Sequence, residues 1–195
     1  MILRTVLVLF IVTANVYGQS ADPMDTTQIY TSLEQALKNP QKVYKLSLRK
    51  NKLKKLPPEI ITLTNLRFLD LSKNKIVVIP AGIGELKNLQ QLILSRNHIE
   101  TLPKEIGNLK NLKYLNINQN DLMSLPSEMA ELENLESLDL WSNNIDAFPQ
   151  EMRKLKKLKT LDLRVIYMNE EKQKKIQAQF PNTKIYFSNS CKCEQ

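Results

Sequence analysis

Histidine occurs once in this chain, at His98, and cysteine twice, at Cys191 and Cys193. A closed zinc site takes about four ligands. Two thiols with no histidine beside them make half of one, and a disulfide across a single intervening residue is strained. The cysteines therefore read as a tail with free or intermolecular thiols, and no metal is expected. No cysteine or acidic pair lies close to His98, in sequence or in the phase of the repeat described below, to complete a nucleophile–base set. With only four glycines, there is no glycine-rich loop to cradle a phosphate. These shortages argue against an enzyme, and no cofactor is expected.

Long apolar runs are missing too. The one such stretch, residues 5–14 (TVLVLFIVTA), follows a short positive start ending at Arg4. It precedes Val16-Tyr17-Gly18, which offers small residues just before a cut at Gln19. Its length is about half of the roughly twenty residues that span a bilayer. Residues 1–18 therefore read as a cleaved secretory leader, with an uncleaved N-terminal anchor as the alternative. No cysteine follows the cut, which argues against a lipoprotein anchor. The expected location is secreted or in the cell envelope, with no transmembrane span.

What the chain has in abundance is a period. Asn51, Asn74, Asn97, Asn120 and Asn143 are each 23 residues apart, and so are Pro57, Pro80, Pro103, Pro126 and Pro149. Aligned on that period, each unit has seven apolar positions; in the third they are Leu89, Leu92, Leu94, Ile99, Leu102, Ile106 and Leu109. From Val43 to Leu155 all thirty-five such positions are apolar. A sixth unit starts at Leu158, Leu161 and Leu163 and then fails. Ile166 stands where asparagine belongs and Lys172 takes the proline slot, as expected where stacking must stop.

Each unit reads LxxLxLxxNxL. The LxL core has period two, so one face of a short strand points inward. A buried asparagine can donate and accept at once, satisfying backbone groups where the chain turns. Proline suits the first position of a helical turn. Glu59, Glu105, Glu128 and Glu151 follow it near the positive end of that turn, with Gly82 the exception. One unit cannot bury its apolar face, whereas six stacked units can. The expected fold is α/β: a right-handed solenoid with a parallel sheet on the concave face and short helical or 3-10 turns on the convex side. The ends need covers. Thr31-Ser32-Leu33-Glu34 matches a capping box opening a helix over 31–38, with Leu33 and Leu37 sealing the edge. A second helix is expected over 170–180, with Ile176 and Phe180 inward, then a last strand at Ile185, Tyr186 and Phe187. Residues 19–30 and 188–195 read as loose. The expected division is 1–18 leader, 19–42 N-terminal segment with its helix, 43–165 six repeats, 166–187 cap and 188–195 tail.

Units such as LPKEIGNLKNLKYLNINQN (102–120), the lead-in LEQALKNPQKVYKLSL (33–48) and the closing LDLRVIYMNEEKQKKIQAQFPNTKIYF (161–187) resemble the short secreted leucine-rich-repeat proteins of bacteria, especially spirochaetes. A departure lies at Val165-Ile166, where that family usually has a polar pair containing asparagine. The resemblance implies protein–protein recognition, often at a host or bacterial surface, and no particular partner.

The outward strand positions form columns across the concave face. The first is Lys45, Phe68, Gln91, Tyr114, Ser137 and Thr160; the second is Ser47, Asp70, Ile93, Asn116, Asp139 and Asp162. The third is Arg49, Ser72, Ser95, Asn118, Trp141 and Arg164; the fourth is Lys50, Lys73, Arg96, Gln119, Ser142 and Val165. Phe68, Tyr114 and the only tryptophan, Trp141, fall here with Ile93, edged by Asn116, Asn118, Asp139 and Arg164. Aromatic side chains dominate interface energies, so these eight form the candidate partner-binding patch. The same aromatics also favour strand structure without binding anything. Asp139 and Asp162 stack like a carboxylate pair, but on an open face a solvated acidic stripe is the plainer reading. Basic residues outnumber acidic ones, 28 to 20, and crowd the N-terminal end of the face at Lys45, Arg49, Lys50, Lys73 and Arg96. A partner protein at an extracellular or host surface is expected. An anionic glycan or lipid, or a structural role in the envelope, stays open. Nucleic acid is not expected, because no stacking row is interleaved with the bases.

Overall fold

The computed structural model describes residues 28–188. The expected leader and the Cys191 and Cys193 tail lie outside that range. Eight strands form one parallel sheet in chain order. They are β1 (Ile29–Tyr30), β2 (Lys45–Ser47), β3 (Phe68–Asp70), β4 (Gln91–Ile93), β5 (Tyr114–Asn116), β6 (Ser137–Asp139), β7 (Thr160–Leu163) and β8 (Lys184–Phe187). Strands β2 to β7 pair at a constant offset, so Leu46, Leu69, Leu92, Leu115, Leu138 and Leu161 line up in one interior row. Of the thirty-five repeat positions all are buried except Leu53 and Phe148, which are half-buried against the same core. The molecule is a solenoid with a single continuous interior.

The asparagine ladder stitches each coil to the one before. Asn97 Nδ2 donates to the Leu71 carbonyl of the preceding coil (3.1 Å) and to Leu94 of its own (2.8 Å), while Oδ1 accepts from the Ile76 amide (3.0 Å). Asn74, Asn120 and Asn143 repeat that pattern. Asn51, in the first coil, is exposed. A second ladder, not anticipated, runs along the outside: Asn65, Asn88, Asn111 and Asn134 each donate to a carbonyl 24 residues back.

The convex side is made of 3-10 turns: Pro58–Thr62, Ala81–Glu85, Lys104–Asn108, Ser127–Glu131 and Gln150–Lys154. The ladder prolines sit one residue earlier than expected, as extended residues flanking the turn rather than as its first residue. Because φ is fixed in proline, it still sets the direction of entry. Neighbouring turns approach closely at two glycines. A Cβ on Gly84 would lie 2.6 Å from the Glu105 carbonyl oxygen, and one on Gly107 would lie 2.4 Å from that of Glu128.

The ends differ in detail from expectation. The N-terminal helix α1 (Leu33–Leu37) is capped by Ser32, whose hydroxyl accepts from the Gln35 amide, and not by Thr31. Leu33 and Leu37 pack against the core, and Ala36 is the fully buried residue. Ile29 and Tyr30, expected to be loose, pair with Lys45 and Leu46, because the edge of β2 offers unpaired backbone groups. At the other end α2 (Glu170–Gln179) starts from Asn169, whose side chain accepts from Lys172 N, and buries Ile176, with Phe180 buried just past its last turn. The final strand, β8, begins one residue earlier than expected, at Lys184.

Candidate functional site

Alternation along each strand turns leucines in and leaves the flanking residues on the concave face. The register places Phe68 and Tyr114 in the first column and Ile93, Asn116 and Asp139 in the second. Asn118, Trp141 and Arg164 follow where the strands end. Tyr114 is 47% exposed, while Phe68, Ile93 and Trp141 are half-buried. None of the four lies in the interior.

Two shallow hollows occupy the C-terminal half of this face. One, about 440 Å³, is lined by Ser137, Leu138, Asp139, Thr160, Asp162, Arg164 and Tyr186. The other, about 360 Å³, is lined by Gln91, Leu92, Ile93, Tyr114, Leu115, Asn116, Ser137 and Asp139. They share Ser137 and Asp139 and so adjoin, the two together making up the trough-like stretch of this face from Ile93 to Tyr186. Five of the eight candidate residues line it: Ile93, Tyr114, Asn116, Asp139 and Arg164. Phe68, Asn118 and Trp141 lie outside. Tyr186, Thr160, Ser137 and Asp162 line it without having been singled out as binders. Tyr186 continues the second column beside Asp162, but 24 residues on, a slip that hides it from a strict period.

The polar residues hold one another. The aspartate and asparagine oxygens of the second column each accept from the amide two residues on: Asp70 from Ser72 (2.8 Å), Asn116 from Asn118 (3.1 Å), Asp139 from Trp141 (3.1 Å) and Asp162 from Arg164 (3.1 Å). Such a bond fixes the turn that ends each strand. Asp139 Oδ2 also accepts from Asn118 Nδ2 (2.6 Å) and Asn116 Nδ2 (3.1 Å). Asp162 is gripped by the Arg164 guanidinium at 2.6 to 3.1 Å, and that guanidinium lies 5.8 Å from the Tyr186 ring. The solvated acidic stripe is thus corrected: Asp139 is half-buried and bonded three times, and Asp162 is ion-paired. Burial pushes the Asp139 carboxyl above its ordinary range; Asp162 adds to this, while the Trp141 amide, Asn118 and Arg164 oppose it.

His98 is exposed as expected, but it has an acidic neighbour one period along. Its Nδ1 is 3.5 Å from Asp121 Oδ2, with the two side chains 63% and 53% exposed. Among the described residues no cluster of three metal-binding side chains occurs, and no helix is long and apolar enough to cross a membrane.

A family model described as a leucine-rich repeat region matches residues 42–183. No curated protein matches the sequence. Among solved structures, a leucine-rich-repeat protein of Leptospira interrogans is 30% identical, with a TM-score of 0.52; the match covers 83% of this chain and 58% of that one. This chain thus spans little more than half of that protein. Internalin C2 of Listeria monocytogenes is 27% identical, with a TM-score of 0.66, over 81% of this chain and 66% of its own. The leucine-rich-repeat ectodomain of the plant membrane receptor kinase GASSHO1/SCHENGEN3 from Arabidopsis thaliana was solved in complex with Casparian strip integrity factor 2. It is 34% identical, with a TM-score of 0.57, over 63% of this chain and 15% of that one. Coils of constant offset, asparagines that tie each to the last, and a repeat model matching most of the sequence agree: this chain belongs to the leucine-rich-repeat family, whose fold serves in general as a protein-binding scaffold.

Proposed function

We propose that this chain is an exported, non-enzymatic module that binds a protein at an extracellular or host surface, gripping it along the concave trough. The observation that carries the reading is Tyr114, 47% exposed in the sheet wall of an open trough that runs from Ile93 to Tyr186. An aromatic held by a rigid strand loses little freedom on binding, and the polar groups beside it are already fixed by one another. Phe68, Asn118 and Trp141 extend the same face beyond the trough, and all eight candidate residues contribute to the contact. In this reading residues 1–18 are a removed leader, 19–42 and 166–187 cap the two ends, 43–165 are six repeats, and 188–195 form a tail.

Tyr114→Ala and Trp141→Ala, compared with the unaltered chain in capture from host extracellular material and then in titration of the captured protein, test the site. Each is expected to weaken binding by about 2 kcal/mol, some thirtyfold. Unchanged affinity in both variants overturns the trough as the site. Capture from bacterial envelope fractions alone overturns the host-surface reading in favour of a structural envelope role.

A further inference from the structure

The cations of this solenoid differ in their company. Lys110, Lys154, Lys159, Arg164, Lys172 and Lys175 are each paired with a carboxylate. At the other end of the sheet, Arg49, Lys50, Lys73 and Arg96 have no such partner among the described residues. The nearest acid of their columns, Asp70, is buried and occupied by the Ser72 amide and the Ser47 hydroxyl.

Their arrangement is fixed by the backbone. The Lys50, Lys73 and Arg96 amides donate to Ser72, Ser95 and Asn118 carbonyls at 3.1, 2.9 and 2.9 Å, continuing the sheet ladder past the strand ends. Successive cations are therefore about 4.8 Å apart at the backbone. All three hold left-handed φ values of 61°, 56° and 56°. Arg49 Nη1 donates to Ser72 Oγ at 3.3 Å and Arg96 Nε donates to Gln119 Oε1 at 2.6 Å, which leaves Nη2 of Arg49 and both terminal nitrogens of Arg96 without an acceptor among the described residues. The crowding registers on Lys73, whose ammonium is held below the usual lysine range by Arg96, Arg49, partial burial and Lys50 in that order. A row of like charges on a rigid rim is unfavourable until an anion lies along it.

We infer that Arg49, Lys50, Lys73 and Arg96 form a linear anion site, across the rim of β2 to β4, for a sulfated or carboxylated polysaccharide chain. The row advances by one fourth-column cation per coil through three consecutive coils, a narrow track that suits a single extended chain. It runs along the rim of a concave face, which a flat bilayer meets poorly. The column beside the cations carries Ser72 and Ser95 rather than the aromatic rings that stacked bases need. This site is separate from the trough and does not depend on what the trough holds.

The test uses the full chain and a heparin-derived oligosaccharide, titrated across a range of salt. Lys50→Gln/Lys73→Gln/Arg96→Gln removes three charges at positions where glutamine fits, since Gln119 occupies the same slot with φ 53°. Arg153→Gln/Lys156→Gln/Lys174→Gln removes three exposed charges elsewhere, and thermal unfolding checks that both variants stay folded. Expected are binding that weakens steeply with salt, a loss of at least about tenfold in the rim variant, and less than about twofold in the control. Equal losses in the two variants would mean attraction by net charge alone and overturn the site. Tighter binding of a single-stranded oligonucleotide or of anionic vesicles than of the oligosaccharide, at the same salt, would overturn the polysaccharide assignment.

Discussion

At Asp139 the columns converge: one carboxylate receives the Trp141 amide and the side chains of Asn116 and Asn118. Burial nevertheless outweighs those bonds and raises its proton affinity above that of the unfolded chain. The native state then holds the proton more tightly. The contribution to stability is full below the unfolded pKa and declines as pH rises through the raised folded value. Relative to Asp139→Asn, the unaltered chain should thus lose unfolding free energy as pH climbs from about 3 towards 7. Urea unfolding of the two proteins across that range checks it, and a difference that grows in the opposite direction would show that the bonds prevail over burial. Residues of this kind were half legible in the sequence. The period put Asp139 in a column with Asn116 and Asp162. What the period cannot carry is the tie from each second-column aspartate or asparagine oxygen to the amide two residues on, because Ser47 and Ile93 share the slot without making it. His98 and Asp121 show the same limit: they stand 23 residues apart, but their pairing depends on side-chain reach.

Elements in this molecule are defined by their neighbours more than by their own propensity. Three-residue strands and five-residue 3-10 turns are too short to persist alone. The spacing between coils is therefore a stability determinant, and the glycines read it out. Gly107→Ala drives a methyl against the Glu128 carbonyl oxygen at 2.4 Å, backbone that cannot rotate away. Gly82→Ala meets only the Ile61 side chain, at 3.2 Å and 3.4 Å. The expected cost of Gly107→Ala is about 1–3 kcal/mol, and of Gly82→Ala less than about 0.5 kcal/mol, by thermal or urea unfolding. Comparable costs would mean that helical propensity, not coil approach, sets the effect. The coil itself was legible, since thirty-five apolar positions in fixed phase allow one stacking. Its borders were less so. The capping box pointed to Thr31 when Ser32 is the cap, and β1 carries no repeat signature, only two residues on an open edge. Tyr186 was missed as a wall of the trough for the same reason: α2 interrupts the period and shifts the next strand by one residue.

For the molecule as a whole, the energy is nearly one-dimensional, because each coil touches the coil before and the coil after. The interior would be open at both ends without α1 and α2. Phe180 is 3% exposed at the end of α2, and Gln179 beside it donates to the Pro149 carbonyl (2.7 Å), locking the cap to the last 3-10 turn. Val165 adds to the load there: it holds φ 59°, which suits asparagine or glycine and strains a β-branched residue. Phe180→Ala removes the buried ring, and such truncations cost about 3–5 kcal/mol. In a globule with one all-or-none core, that loss would speed hydrogen exchange at every protected amide alike. In a stack it is confined to the damaged end, since distant coils can stay folded while the last ones open. The expected result is faster exchange at the Leu140 and Lys184 amides, which bond to the Asp162 and Lys159 carbonyls, with little change at Leu71, whose amide bonds to Ile93 in the middle of the sheet. Uniform acceleration would refute the stacked view of its stability. Local opening leaves the middle coils intact, so the rim cations from Arg49 to Arg96 should keep their arrangement in this variant while the Tyr186 end of the trough is lost. Oligosaccharide binding and capture of the partner protein should then separate in one and the same molecule.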